Sequence, residues 1–268
     1  MGMRLTRNLT ESSGYSVAYV EPGAEGVARL ATLGISPTLA DEALSDAEVV
    51  ILALPDAHLG AISEELVPNM AIGAMLVTLD PAAAHAGVLA HRDDLAYFVT
   101  HPCHPPVFND EIGEAKKDFF GGVLAKQAIV CALMQGSEDD YARGAALAEA
   151  MYAPVMRSHR VSVEQMAILE PAMAETVTAC CITIIREAMD EAIRRGVPAE
   201  AARDFMLGHV NIPLAIVFGE VDSPFSDGAK LIIEHGRRQI FREDWKKVFE
   251  PESVRDQVRA IVGNRTPA

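Results

Sequence analysis

The sequence predicts an α/β protein: a Rossmann-type parallel sheet, lacking its first strand, followed by an all-α domain with a long helix. Two observations carry this. Short β-rich runs alternate with helical stretches as far as residue 160, and only helical patterns follow Val161. The run Val49-Val50-Ile51-Leu52-Ala53-Leu54 is continuously apolar, as a strand buried on both faces of a parallel sheet should be.

In order, Met3 to Asn8 reads as a helix already under way, broken at Glu11-Ser12-Ser13-Gly14. Tyr15 to Val20 reads as a strand, stopped by Glu21-Pro22-Gly23. A helix over 24–33 leads to the apolar strand at Val49, which Pro55-Asp56 ends. Leu59 to Leu66 is helical, Met75 to Leu79 is a strand stopped at Asp80-Pro81, and Tyr97 to Thr100 is another. That strand runs into His101-Pro102-Cys103-His104-Pro105-Pro106. A strand over 128–133, a helix over 138–151 and a strand over 154–158 complete the first domain, 1–160.

In the second domain, 161–268, Ser162 and Gln165 have capping-box spacing for a long helix, with a kink expected at Pro171 because proline lacks the N–H and clashes with the preceding turn. Helices fit 199–207, 211–220, 228–242 and 253–261. His209 and Asn211 are expected in a turn between two of these.

The formal charge is −15, from 38 acidic and 23 basic residues, which argues against a nucleic-acid partner. Apolar stretches are broken before the ~20 residues of a membrane span, so no membrane partner is expected. The four cysteines form no CxxC pair and read as reduced, placing the chain in the cytoplasm.

A dinucleotide fold puts glycines before its first helix and an acidic residue about 20 positions on, where it accepts from the ribose hydroxyls. Gly2 and Met3 open the first helix here, and Glu21 ends the next predicted strand; its carboxylate selects NAD over a 2′-phosphorylated cofactor. Leu54, Pro55, Asp56 and Pro81 stand at strand ends, where ligands bind in open α/β sheets. The first strand and leading glycines should precede Gly2, so Met1 is read as an internal methionine of a longer parent.

The segments MGMRLTRNL, YVEPG, LALPD, THPCHPPVFNDE, ILEPAMAET and GHVNIPLAIVFGE resemble the D-apionate oxidoisomerase family, within the 6-phosphogluconate and β-hydroxyacid dehydrogenase-like oxidoreductases. The resemblance covers essentially the whole chain; the His-Pro-Cys-His-Pro-Pro segment is its most specific part. It implies an enzyme that oxidises the sugar acid D-apionate with NAD and rearranges its skeleton to 3-oxo-isoapionate.

β-Hydroxyacid dehydrogenases use a lysine in a Gln-x-x-Lys pattern early in the long helix. Here Gln165 is followed by Met166, Ala167 and Ile168, and no lysine occurs between Lys126 and Lys230. A divalent metal (Zn, Mg or Ca) is the expected substitute, since a carbon shift between oxygenated carbons needs a Lewis acid. Candidate ligands are His101, His104, Glu170 and Glu175; the first three can instead meet the substrate directly, with Asn211 on a substrate hydroxyl. Glu175 lies about 140° round an α-helix from Glu170, so both reach one site only if the helix is distorted. Asn109, Asp110 and Glu111 are read as a solvated turn and Lys230 as a surface residue. The long helix is apolar on more than one face, so a homodimer is expected. The rival readings are a hydroxyacid dehydrogenase without rearrangement and an inactive dimerising fragment.

Overall fold

The computed structural model describes residues 2–12 and 14–263, without the side chains of Met3, Glu11 and Ser12. The Met3 cofactor contact expected from sequence lies outside the described residues.

Helices α1 (Gly2–Ser12), α2 (Ala24–Ala31) and α3 (Ala40–Ser45) precede strand β1 (Val49–Leu52). Helix α4 (Asp56–Leu66), β2 (Met75–Thr78), the short α5 (Ala82–His85) and β3 (Ala96–Pro102) follow, then β4 (Gln127–Gln135), α6 (Glu138–Met151) and β5 (Val155–Arg160). The sheet has the order β1-β2-β3-β4-β5. Its pairs are parallel except β3 with β4, which run antiparallel with His101 opposite Val130. A fully parallel sheet was expected. Parallel neighbours need a crossover, usually a helix, and the 103–126 connection holds only a three-residue 3-10 turn, Ala115–Lys117.

The interior strand β2 is buried along its whole length. One sheet face packs Met75, Val77, Phe98 and Ile129 against Leu5 and Leu9 of α1 and Leu147 and Met151 of α6. The other packs Leu52, Leu76 and Tyr97 against Leu59 and Val67. Helix α6 lies so close to β3 that a Cβ on Gly144 would fall 2.5 Å from the Phe98 ring. Ser137 and Asp140 close a capping box at its start, satisfying N–H groups that have no partner within the helix.

Two strand expectations are corrected. Tyr15 to Val20 has no strand assignment, and the sheet ends at β1. A β-rich pattern becomes a strand only where a neighbour takes up its ladder groups, and none of the described strands pairs with it. For the same reason β1 is an edge strand, only half-buried except at Leu52, with Val49 and Ile51 packed on one face of the sheet and Val50 and Leu52 on the other.

Beyond β5 the chain is helical: α7 (Val163–Ala167) with its Ser162–Gln165 capping box as expected, a π-helix Ile168–Ala179, then α8 (Cys180–Arg194), α9 (Ala199–Val217), α10 (Asp227–Ile240) and α11 (Pro251–Val262). The expected kink at Pro171 is absorbed by the π winding, whose i→i+5 bonding draws the clashing carbonyl away from the ring. The expected turn at His209 and Asn211 is absent. Both lie inside α9, which continues through Gly208 and Pro213. The helical run Val163–Arg194 also holds an 18-residue window of mean hydropathy 1.5, long and apolar enough to cross a membrane. Glu170, Pro171 and Glu175 interrupt that run, and core helices of soluble proteins pass the same test.

Two compact units result, one of residues up to Pro171 with those from Val254 on, the other Ala172–Ser253. Among the described residues of the second unit, the buried apolar side chains are alanines alone: Ala172, Ala202 and Ala215.

Candidate active site

The carboxyl ends of three parallel strands share one edge of the sheet. Beyond β1 stand Leu54, Pro55 and Asp56; beyond β2 stand Asp80 and Pro81; and His101 is the penultimate residue of β3. Leu54 is exposed, while Pro55 and Pro81 precede α4 and α5, where proline's fixed φ suits a helix entrance.

His101 is the hub. Its Nδ1 lies 2.8 Å from the Leu79 carbonyl oxygen. A carbonyl only accepts, so Nδ1 carries the proton. Its Nε2 faces Glu170 Oε2 at 3.5 Å, and Asp80 Oδ2 lies 3.9 Å from Nδ1. Glu170 sits early in the π-helix.

Asp80 accepts from the Ala82 N–H at 2.9 Å. Burial raises its carboxyl above the ordinary range, against the lowering effect of that N–H and of His101. Asp56 is pushed up to about 6, first by burial and then by the Asp80 charge, with backbone N–H groups and His101 pulling the other way. Its Oδ1 is buried and has no hydrogen-bond partner among the described residues.

His104 is brought near but is differently engaged. Its ring centroid is 6.1 Å from that of His101, edge-on. Its φ of +61° is unusual for a residue with a side chain, and its Nδ1 lies 2.9 Å from the Phe120 carbonyl oxygen. Phe120 in turn carries the Arg4 guanidinium 4.3 Å above its ring. Asn109 accepts from the Glu111 N–H and Glu111 from the Lys126 N–H, so both brace the loop.

Gly2 opens α1, where the Thr6 hydroxyl donates to its carbonyl at 3.0 Å. Glu21 turns onto its own bend, accepting from the Gly23 N–H at 2.7 Å, and a side chain on Gly26 would collide with its carboxylate. Glu175 and Asn211 belong to the second compact unit. There His209 stacks on Phe205 at 3.9 Å and Lys230 pairs with Asp227 at 3.1 Å.

Among the described residues, no three His, Cys, Asp or Glu stand together as metal ligands. His101 and Glu170 do fit as a pair. Two ligands each about 2.1 Å from one ion, at a near-tetrahedral angle, stand roughly 3.4 Å apart, and Nε2 and Oε2 are separated by 3.5 Å. Asp56 fits a dinucleotide: an unpartnered acceptor at a strand end suits a ribose hydroxyl or an amide N–H. Sequence reasoning left Asp80 out of the site, because an Asp-Pro after an apolar run reads first as a strand stop.

Residues 109–262 match the family described as phosphogluconate dehydrogenase (decarboxylating) C-term. The D-apionate oxidoisomerase of Rhizobium rhizogenes is 53% identical over 97% of this chain and 95% of its own length. That of Cupriavidus necator is 49% identical over the same shares. The chain belongs to the D-apionate oxidoisomerase family. A solved structure described as a semialdehyde dehydrogenase NAD-binding protein from Cupriavidus necator, in complex with calcium and NAD, superposes with a TM-score of 0.94 at 48% identity, covering 97% of this chain and 95% of that one. Membership of the oxidoisomerase family accounts for the Rossmann-like sheet and the helical continuation.

Proposed function

We propose that this chain is an NAD-dependent oxidoreductase that converts D-apionate to 3-oxo-isoapionate, oxidising a hydroxyl and rearranging the carbon skeleton in one site. The observation that carries this reading is the His101–Glu170 pair at the carboxyl edge of the sheet, in a chain that matches a D-apionate oxidoisomerase over 97% of its length. NAD takes up the hydride from the substrate carbon; Glu21, Asp56, Pro55, Pro81 and the Gly2 end of α1 are the groups that hold it. His101 offers Nε2 to the hydroxyl that loses its proton, or to a divalent cation, and Glu170 offers Oε2 to the same space. A cation there supplies Lewis acidity for the carbon shift, and the calcium in the Cupriavidus necator neighbour supports one. Glu175, the other carboxylate singled out in the sequence, is the further ligand for that ion. His104 and Asn211 are assigned to substrate hydroxyls.

The chain acts as a homodimer in the cytoplasm. Phe205, Val217, Phe218, Leu231 and Ile232 are each more than half exposed, in a unit whose buried apolar residues are alanines. A second copy supplies the core that these helices lack. The four cysteines are free thiols, consistent with a reducing compartment.

The product decides between this reading and a dehydrogenase without rearrangement. Carbon NMR of the product of labelled D-apionate should show the branch moved from C3 to C2, with the ketone at C3. A product that keeps the branch at C3, with its ketone at C2, would overturn the oxidoisomerase reading and leave the dehydrogenase one.

A further inference from the structure

His101 stands between acceptors that compete for its proton. On the Nε2 side is Glu170 Oε2 at 3.5 Å. On the Nδ1 side are the Leu79 carbonyl oxygen at 2.8 Å and Asp80 Oδ2 at 3.9 Å. The Leu79 carbonyl is aimed by the turn that follows β2, and Asp80 builds that turn. Its Oδ1 accepts from the Ala82 N–H at 2.9 Å, and its carbonyl accepts from the Thr78 hydroxyl at 3.2 Å. The His101 and Asp80 side chains are only 14% and 24% exposed, so water competes weakly for these bonds.

We propose that Asp80 is a positioning residue that fixes the tautomer of His101, holding the proton on Nδ1 so that the Nε2 lone pair stays open toward Glu170. The consequence is chemical. A neutral imidazole with its hydrogen on Nε2 would donate to Glu170 and could neither accept a hydroxyl proton nor bind a cation there. Without the turn that Asp80 ties, the Leu79 carbonyl loses its aim, and Glu170 becomes the strongest acceptor beside the ring. Asp80 thus acts through His101 and touches no reacting atom. The catalytic meaning rests on the function proposed above; the tautomer itself does not.

The test compares the parent chain with Asp80→Ala and Asp80→Asn. Two readouts are used: the ¹⁵N NMR spectrum of histidine-labelled protein, with His101 assigned by its loss in His101→Gln, and the kinetics of NADH formation from D-apionate. The parent should show Nδ1 protonated and Nε2 bare. Asp80→Ala should shift the hydrogen toward Nε2 and lower kcat about ten- to a hundredfold, the usual effect of removing a group that orients a functional histidine, with the NAD dissociation constant unchanged. Asp80→Asn keeps an oxygen for the Ala82 N–H and should recover both the tautomer and most of kcat. A parent-like ¹⁵N pattern in Asp80→Ala would overturn the proposal, as would an Asp80→Asn variant that fails as badly as the alanine. If the parent does not turn over D-apionate, the function proposed above fails, while the ¹⁵N comparison still decides the role of Asp80.

Discussion

The imidazole of His101 and the carboxylate of Glu170 meet at 3.5 Å, Nε2 to Oε2, although one ends a β-strand and the other opens a π-helix. Each side chain is at most one-fifth exposed. The pair looks out from the carboxyl edge of the sheet, where open α/β folds place their ligands.

If this pair performs the chemistry, His101→Ala and Glu170→Gln should each lower kcat/KM for D-apionate by about a hundredfold or more, the range for a positioned acid, base or metal ligand. Affinity for NADH should be little changed, because neither residue is assigned to the dinucleotide. Fluorescence titration with NADH, alongside steady-state rates, separates the two effects.

Asp56 makes stability depend on pH. Its folded pKa of about 6 lies above the ordinary 3.8, so the folded chain holds this proton more tightly than the unfolded one. The stabilisation is therefore complete below pH 3.8 and is lost as pH rises through 6. Asp56→Asn, which removes the ionised carboxylate, should raise stability at pH 8 by about 1–2 kcal/mol after allowance for partial exposure, and change it little at pH 4. Denaturant midpoints at the two pH values measure this. A gain of equal size at both would rule out titration as the cause.

Gly144 sets the distance between α6 and β3. Gly144→Val puts its branch into the Phe98 ring and should cost about 1–3 kcal/mol, typical of overpacking. A companion Phe98→Leu should recover part of the loss. Thermal melts of the single and double variants report the coupling.

Association is expected to depend on the apolar residues of α9 and α10. Leu231→Glu combined with Ile232→Glu, at positions 72% and 70% exposed, should turn a dimer into a monomer in sedimentation velocity. A charged pair that leaves the dimer intact would place the interface elsewhere.

Much of this arrangement is legible in the sequence, and the rest is not for definite reasons. The apolar runs at Met75, Tyr97 and Ile129 declare strands because their burial is written locally, and Ser162 with Gln165 declares a helix start. The direction of β4 relative to β3 is decided by the 103–126 connection, which has no periodic pattern to read. Tyr15 to Val20 has a strand's composition but gains no neighbour, and pairing is not a local property. The turn expected at His209 was inferred from Gly208 and Pro213, whose helix penalties the surrounding helix overrides. His101 and Glu170 were recognisable as candidates from residue type and place. The π winding over Ile168–Ala179, and the turn through which Asp80 addresses His101, arise only from folded geometry.

The most direct test is the absorbance of NADH formed from D-apionate and NAD, with and without a chelator. The account predicts NADH formation that the chelator abolishes and an added divalent cation restores. Turnover that survives the chelator would contradict the metal-assisted step. Absence of turnover, in protein shown to bind NADH, would contradict the assignment of D-apionate as substrate.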